Sequence, residues 1–245
     1  MLKDNIILKF GGHVLNSLSD MKNAANIIIK HKHERNVLVV VSAQGDTTDH
    51  LNQICELYNF ANCADNNINS QAARDFVLAT GEQVSAGLLS LILSNKNVQS
   101  VPVNAYQAPI HYQHNGSIDI STSYLNSLIK QNIIPIITGF QAIDHSNNLH
   151  TLARGGSDIT AVVLAKLFNA ECWMYKNVCG VYDCDPQIHS DAKHLPFLSY
   201  QKLFELIEQG AQIVQKDAAQ LAMEASIKLT ILSPLDEYKR TIIAC

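Results

Sequence analysis

Two short runs, Val37–Ser42 (VLVVVS) and Ile133–Thr138 (IIPIIT), constrain this chain more than anything else in it. Both are rich in β-branched residues and apolar at odd and even positions alike. A strand of that kind has no face suited to water and must be covered on both sides. Further strand-like runs stand at Ile6–Phe10, Val101–Ala105, Cys172–Lys176 and Ile227–Leu232. Between them lie stretches with helical spacing, at Asp20–His33, Thr48–Asn59, Gln71–Ser94, Ser123–Lys130, Asp158–Phe168, Tyr200–Glu208 and Asp217–Ala225. Strands alternating with helices of this length predict an α/β fold with a mainly parallel sheet and helices on both faces. In such sheets ligands gather at the carboxyl ends of the strands.

A chain of 245 residues can bury a large core as one domain or two. Neither a linker nor a repeat divides it, so the reading is a single unit over 1–245 with a soft division near residue 150. The polar segment Gln107–Asp119 reads as a surface excursion or hairpin, and Ala61–Ser70 as an Asn-rich loop. The formal charge is 18 − 22 = −4, without a Lys/Arg cluster, which argues against a nucleic-acid partner. The absence of a run of about 18 apolar residues argues against a membrane span. The start, MLKDNIILKFGG, carries an acid and enters a strand at once, unlike a signal peptide. The six cysteines include Cys172, Cys179 and Cys184, whose spacing fits no zinc pattern. They are expected to be reduced, as in a cytoplasmic protein. The ten histidines are dispersed, with His31 and His33 on a solvated helix and His111 and His114 in a polar loop. No metal site is expected.

Four motifs carry chemistry. Lys9-Phe10-Gly11-Gly12 follows the first strand; two glycines let backbone N–H groups approach a phosphate, and the lysine adds charge. A tight turn would need the same glycines. Ser42-Ala43-Gln44-Gly45-Asp46-Thr47-Thr48 opens a helix at another strand's end, where backbone donors bind anions or Thr47 or Thr48 simply starts the helix. Thr80-Gly81-Glu82-Gln83 places a glycine in a helix at a cost of about 1 kcal/mol, which points to a break or a close contact. Glu82 there could hold an ammonium group. Arg154-Gly155-Gly156-Ser157-Asp158 brings an arginine able to grip a carboxylate in bidentate fashion, with Ser157 and Asp158 where the next helix's N-cap should fall. About twenty residues on, Gly180-Val181-Tyr182 and Asp185-Pro186 form a second loop that could border a base and ribose.

Taken in order, KFGG, VVSAQGDTTDHL, ATGEQ, IPIITGF, ARGGSD and GVYDCDP resemble the catalytic domain of aspartokinases, within the amino-acid kinase family. The resemblance runs from Lys9 to about residue 232. It implies a three-layer α/β/α sandwich, with an amino-acid side over about 1–150 and a nucleotide side over about 151–245. It implies transfer of the ATP γ-phosphate, with Mg2+ carried by ATP, to the side-chain carboxylate of aspartate in amino-acid (lysine) biosynthesis. Lys9 would neutralise the transferring phosphoryl group and Asp158 would organise the catalytic lysines. Ser42, Thr48, Glu82, Arg154 and Ser157 would hold the amino acid. Gly11, Gly12, Lys176, Asn177, Tyr182, Asp185 and Lys216 would serve the nucleotide. The family's catalytic domains generally associate, so a homo-oligomer is expected. The regulatory ACT module that many relatives carry has no counterpart before Cys245, which leaves room for a separate regulatory partner.

The chain departs from that pattern in two places that matter. Gln187 stands where the family has a phosphate-facing arginine, and Gln212 where it has a second catalytic lysine. Two readings therefore remain at the level of sequence: an ATP-dependent aspartate kinase, or a weak or silent homologue that binds an amino acid as a sensor or accessory subunit. A kinase with another amino-acid substrate is a third. Lys9, Arg154 and Asp158 favour the first. Lys176 and Lys216 lie close in sequence to the lost cations, and one of them is expected to reach the phosphates in their stead.

Overall fold

The computed structural model describes residues 3–58, 68–113, 117–184, 186, 188–189 and 191–245. The first half runs β1 (Asn5–Phe10), α1 (Leu18–Lys32), β2 (Asn36–Val41), α2 (Thr47–Tyr58), α3 (Ile68–Leu78), α4 (Thr80–Ser94) and β3 (Ser100–Val103). The hairpin β4 (Ile110–Tyr112) and β5 (Ile118–Ile120), then α5 (Ser123–Lys130), β6 (Ile134–Thr138), β7 (Gln141–Ile143) and β8 (Leu149–Thr151) follow. The second half runs α6 (Gly156–Leu167), β9 (Glu171–Tyr175), β10 (Val181–Tyr182), β11 (His194–Leu195), β12 (Phe197–Ser199), α7 (Tyr200–Glu208), α8 (Lys216–Glu224), β13 (Leu229–Ser233) and β14 (Asp236–Ala244).

The main sheet has eight strands in the order β12-β14-β13-β9-β1-β2-β6-β3, parallel except where β14 turns back on β13. Both sides of its central strands are used, as their composition demands. Ile6, Leu8, Val39 and Val41 pack with α1 and α4, while Ile7, Leu38 and Val40 pack with the layer holding α5, α6, α7 and α8. Three layers result. A separate four-stranded sheet, β5-β4-β7-β8, stands beyond the carboxyl end of β6, beside α3 and α6.

All six expected strands and all expected helices are present, most with ends shifted by a residue or two. The expected start of α1 at Asp20 moves to Leu18, because Ser17 caps the helix. Its hydroxyl accepts from the Asp20 N–H, and the Asp20 carboxylate accepts from the Ser17 N–H. The expected helix Gln71–Ser94 divides at Ala79 into α3 and α4. The described stretch Ser70–Ser94 is nonetheless long and apolar enough by composition to cross a membrane. Ala86, Leu89 and Leu93 are buried in the core with α1, so α4 serves here as a core helix. His31 is not on a solvated face: its ring packs edge-on against Trp173 at 4.9 Å, and burial lowers its pKa. His111 lies in β4 rather than a loop, while His114 and most of the Asn-rich segment lie outside the described residues.

Candidate active site

The carboxyl ends of β1, β2, β6 and β9 stand level, with Phe10 opposite both Val41 and Tyr175, and Val41 opposite Thr138. The ladder carries on into the loops. Ser42 N–H donates to the Phe10 carbonyl, Gly139 N–H to Val41 and Gly11 N–H to Tyr175, at 3.0–3.1 Å. Residues just past four strands are thereby held side by side.

Into this rim the two helical layers each send one acid. From α6 comes Asp158, 3% exposed. The Lys9 ammonium lies 2.7 Å from its Oδ1 and the Lys176 ammonium 3.4 Å from its Oδ2. The backbone N–H of Gln215, just ahead of α8, also donates to Oδ2 at 3.2 Å. Burial alone would push the Asp158 carboxyl up, but the Lys176 and Lys9 charges outweigh it and hold the group well below the usual carboxylate range. Burial lowers the Lys176 ammonium, with Asp158 opposing and Lys9 adding to the effect.

From α4 comes Glu82, 3% exposed. Its Oε1 accepts from the Ala43 N–H at 2.9 Å, and its Oε2 is buried with no hydrogen-bond partner among the described residues. Burial pushes its carboxyl up to about 7, against the pull of the Ala43 N–H and the Lys9 charge. A buried carboxylate with one oxygen unsatisfied is suited to receive a donor. Gly81 allows the approach of α4, since a Cβ there would meet the Ala43 Cβ at 2.7 Å.

The glycines of the first turn are there for space. A Cβ on Gly12 would lie 2.4 Å from the Ala43 carbonyl oxygen, so β1 and β2 could not end as close together with a larger residue. One on Gly11 would lie 3.8 Å from the Lys9 ammonium, which therefore sits over this turn. At α6 the N-cap is Gly155, with φ +85°, and not Ser157 or Asp158 as expected. Those two stand inside the first turn. Their side chains are released from capping, Ser157 to pack on Gly139 and Asp158 to hold the lysines.

The remaining sequence candidates fall at the edges. Ser42 and Thr48 are half-buried, in the loop after β2 and the first turn of α2. The Arg154 side chain is 92% exposed, and its guanidinium reaches Asp49 of α2 at 3.6 Å. Tyr182 is half-buried on β10 with the Lys239 ammonium 5.2 Å from its ring centre, and Asn177 is exposed. Lys216 is not brought to the cluster: it is exposed, and its nearest charged partner is Glu208 of α7 at 4.0 Å. Gln212 is exposed in the loop between α7 and α8. Asp185 and Gln187 lie outside the described residues. Sequence reasoning missed the backbone donors of Ala43 and Gln215. Nothing in a sequence marks an N–H that meets a carboxylate 39 or 57 residues away.

A family model described as the amino acid kinase family matches residues 4–233. The chain belongs to that family. Among the relatives of this amino-acid kinase chain, the aspartokinase of Rickettsia bellii is 37% identical over 235 residues, covering 93% of the chain and 57% of that protein. Aspartokinase 2 of Bacillus subtilis is 35% identical over 244 residues, covering 97% and 58%. The chain thus spans rather more than half the length of the curated relatives it matches. The solved aspartate kinase from Synechocystis superposes with TM-score 0.85 at 26% identity, over 98% of this chain and 40% of that one.

Proposed function

We propose that this chain transfers the γ-phosphoryl group of ATP to the side-chain carboxylate of aspartate. The observation that carries the reading is the Lys9–Asp158–Lys176 set at the strand ends, a buried carboxylate against one buried and one half-buried ammonium group, beside a glycine turn. Such a site is short of negative charge, which a phosphate supplies. The aspartokinase relatives at 35–37% identity supply the substrate pair.

In the transfer, an oxygen of the aspartate carboxylate bonds to the γ-phosphorus as the bond from that phosphorus to the bridging oxygen breaks. ADP keeps the electron pair. The attacking carboxylate is already ionised, so no proton needs to move, and rate comes from positioning and charge neutralisation. Lys9, held by Asp158, meets the oxygens on which charge gathers. The Gly11–Gly12 turn lets backbone approach the phosphates. Glu82 Oε2 receives the substrate ammonium, Arg154 leaves Asp49 to grip a carboxylate, and Ser42, Thr48 and Ser157 line the same side. Asn177 and Tyr182 border the nucleotide.

Among the described residues no three His, Cys, Asp or Glu side chains cluster as a ligand set. A magnesium ion fits this site as the companion of the nucleotide phosphates, where it would share their charge. The reading makes the chain one kinase unit, with an amino-acid side over 1–150 and a nucleotide side over 151–245. Arg154 and Ser157 reach across between them. It also places the chain in a cytoplasmic homo-oligomer serving amino-acid biosynthesis, in keeping with its aspartokinase relatives.

The test is hydroxylamine trapping with Mg-ATP, which converts an acyl phosphate to a coloured hydroxamate. Aspartate should give the signal. Silence with aspartate, or a stronger signal with another amino acid, would sink the assignment.

A further inference from the structure

We propose that Lys176 is a second cation on the transferring phosphoryl group, working from the end of β9, and that Lys216 takes no part. The inference rests on the kinase reading and assigns to that same site a group beyond Lys9.

The strand geometry comes first. Lys9 is in register with Met174, and side chains alternate along a strand, so Lys176, two residues beyond Met174, emerges on the face of Lys9. That face is the one α6 covers, and Asp158 stands in the first turn of α6. Each ammonium takes a different oxygen of the one carboxylate, at 2.7 and 3.4 Å. Asp158 therefore holds the two cations on its two oxygens, with the Lys9 ammonium beside the glycine turn.

Charge is the second argument. One carboxylate cannot neutralise a buried Lys9 ammonium and a half-buried Lys176 ammonium together, and a charge left unmatched away from water is costly until a counter-charge arrives. If the only task were to hold Asp158 in place, Lys9 and the Gln215 N–H would suffice. The excess positive charge has a use when a phosphate enters. Both lysines then face it together.

Location separates the two candidates. Lys216 is exposed beside Glu208, at the start of α8. The loop leading to it carries the neutral Gln212 and meets the site through the Gln215 backbone, which binds Asp158, not through a cation. The Gln215 side chain is occupied in capping α8 through the Ala218 N–H at 2.8 Å.

The experiment compares wild type, Lys176→Met, Lys176→Arg, Lys216→Met and, as reference, Lys9→Met, each checked by thermal melting. Inorganic tripolyphosphate binding is measured by calorimetry, and hydroxamate formation from aspartate and Mg-ATP by assay. Lys176→Met should weaken tripolyphosphate about 10- to 100-fold and lower kcat about 100- to 1000-fold, with little change in the KM for aspartate. Lys176→Arg should recover part of both, and Lys216→Met should match wild type. Tripolyphosphate binding that Lys176→Met leaves intact, or that Lys216→Met abolishes instead, overturns the inference. So does a wild type that binds no tripolyphosphate. A wild type that binds it through Lys176 yet forms no hydroxamate keeps the phosphate contact and refutes the aspartate kinase reading alone.

Discussion

Glu82 is an acid placed where its charge is disfavoured, and that makes it measurable. Its folded pKa of about 7 lies above the ordinary 4.5. Between those values the folded chain holds the proton more firmly than the unfolded one, so stability falls as pH rises through the window. At about 1.4 kcal/mol per unit the full effect is about 3 kcal/mol. Glu82→Gln should therefore be more stable than wild type at about pH 8 and converge with it below about pH 4, by denaturant unfolding across that range. A flat difference between the two would show that Glu82 is ionised throughout. The same variant should raise the KM for aspartate, since its amide no longer offers a full charge to the ammonium. Asp158 is the opposite case. Asp158→Asn leaves the Lys9 and Lys176 ammonium groups facing each other with no carboxylate between them. It should cost on the order of 3 kcal/mol in unfolding experiments and abolish turnover, whereas Arg154→Ala, at an exposed rim, should leave stability unchanged and act on the KM for aspartate.

Among the elements, the long buried strands and amphipathic helices were legible because burial on one or two faces leaves a repeating mark. The strands that escaped, β7, β8, β10, β11 and β12, are two or three residues long. A pattern of period two cannot declare itself in so short a span. β14 escaped for a different reason: its first half, Asp236-Glu237-Tyr238-Lys239-Arg240, is polar, and β13 pairs with the strand only at Asp236 and at Thr241–Ile243, with the register broken between them. Turns show the same limit. Gly12 reads equally as a tight turn or a phosphate loop, and only the 2.4 Å gap to the Ala43 carbonyl explains why no side chain fits. Gly12→Ala should destabilise the protein by about 1–3 kcal/mol and reduce activity by spreading β1 from β2, as read by melting temperature together with hydroxamate formation. Gly155→Ala faces both a φ of +85° and a Gln215 Cβ 2.8 Å away, so it should displace the α8 side of the site as well.

At the scale of the whole molecule, the site is where two helical layers meet over one sheet edge, so ligands should tie the layers together. Mg-ATP and aspartate should each raise the melting temperature, since each binds the folded chain alone. Lys9→Met should lose the nucleotide-dependent part and Glu82→Gln the aspartate-dependent part. Equal loss of both shifts in both variants would contradict the division into two sides. The order of apolar runs determined by itself that the chain would form a mainly parallel α/β sheet, because a strand apolar on both faces has no other stable setting. It likewise placed Lys9 next to a strand end, Arg154 and Asp158 next to a helix start, and Glu82 within a long helix. Only the tertiary structure decided which of them meet. Asp158 is joined to Lys9 across 149 positions, to Lys176 across 18 and to the Gln215 N–H across 57. Lys176 and Lys216, alike as cations in the sequence, part company for the same reason: strand alternation points one inward at a buried carboxylate, and the start of an exposed helix leaves the other in water.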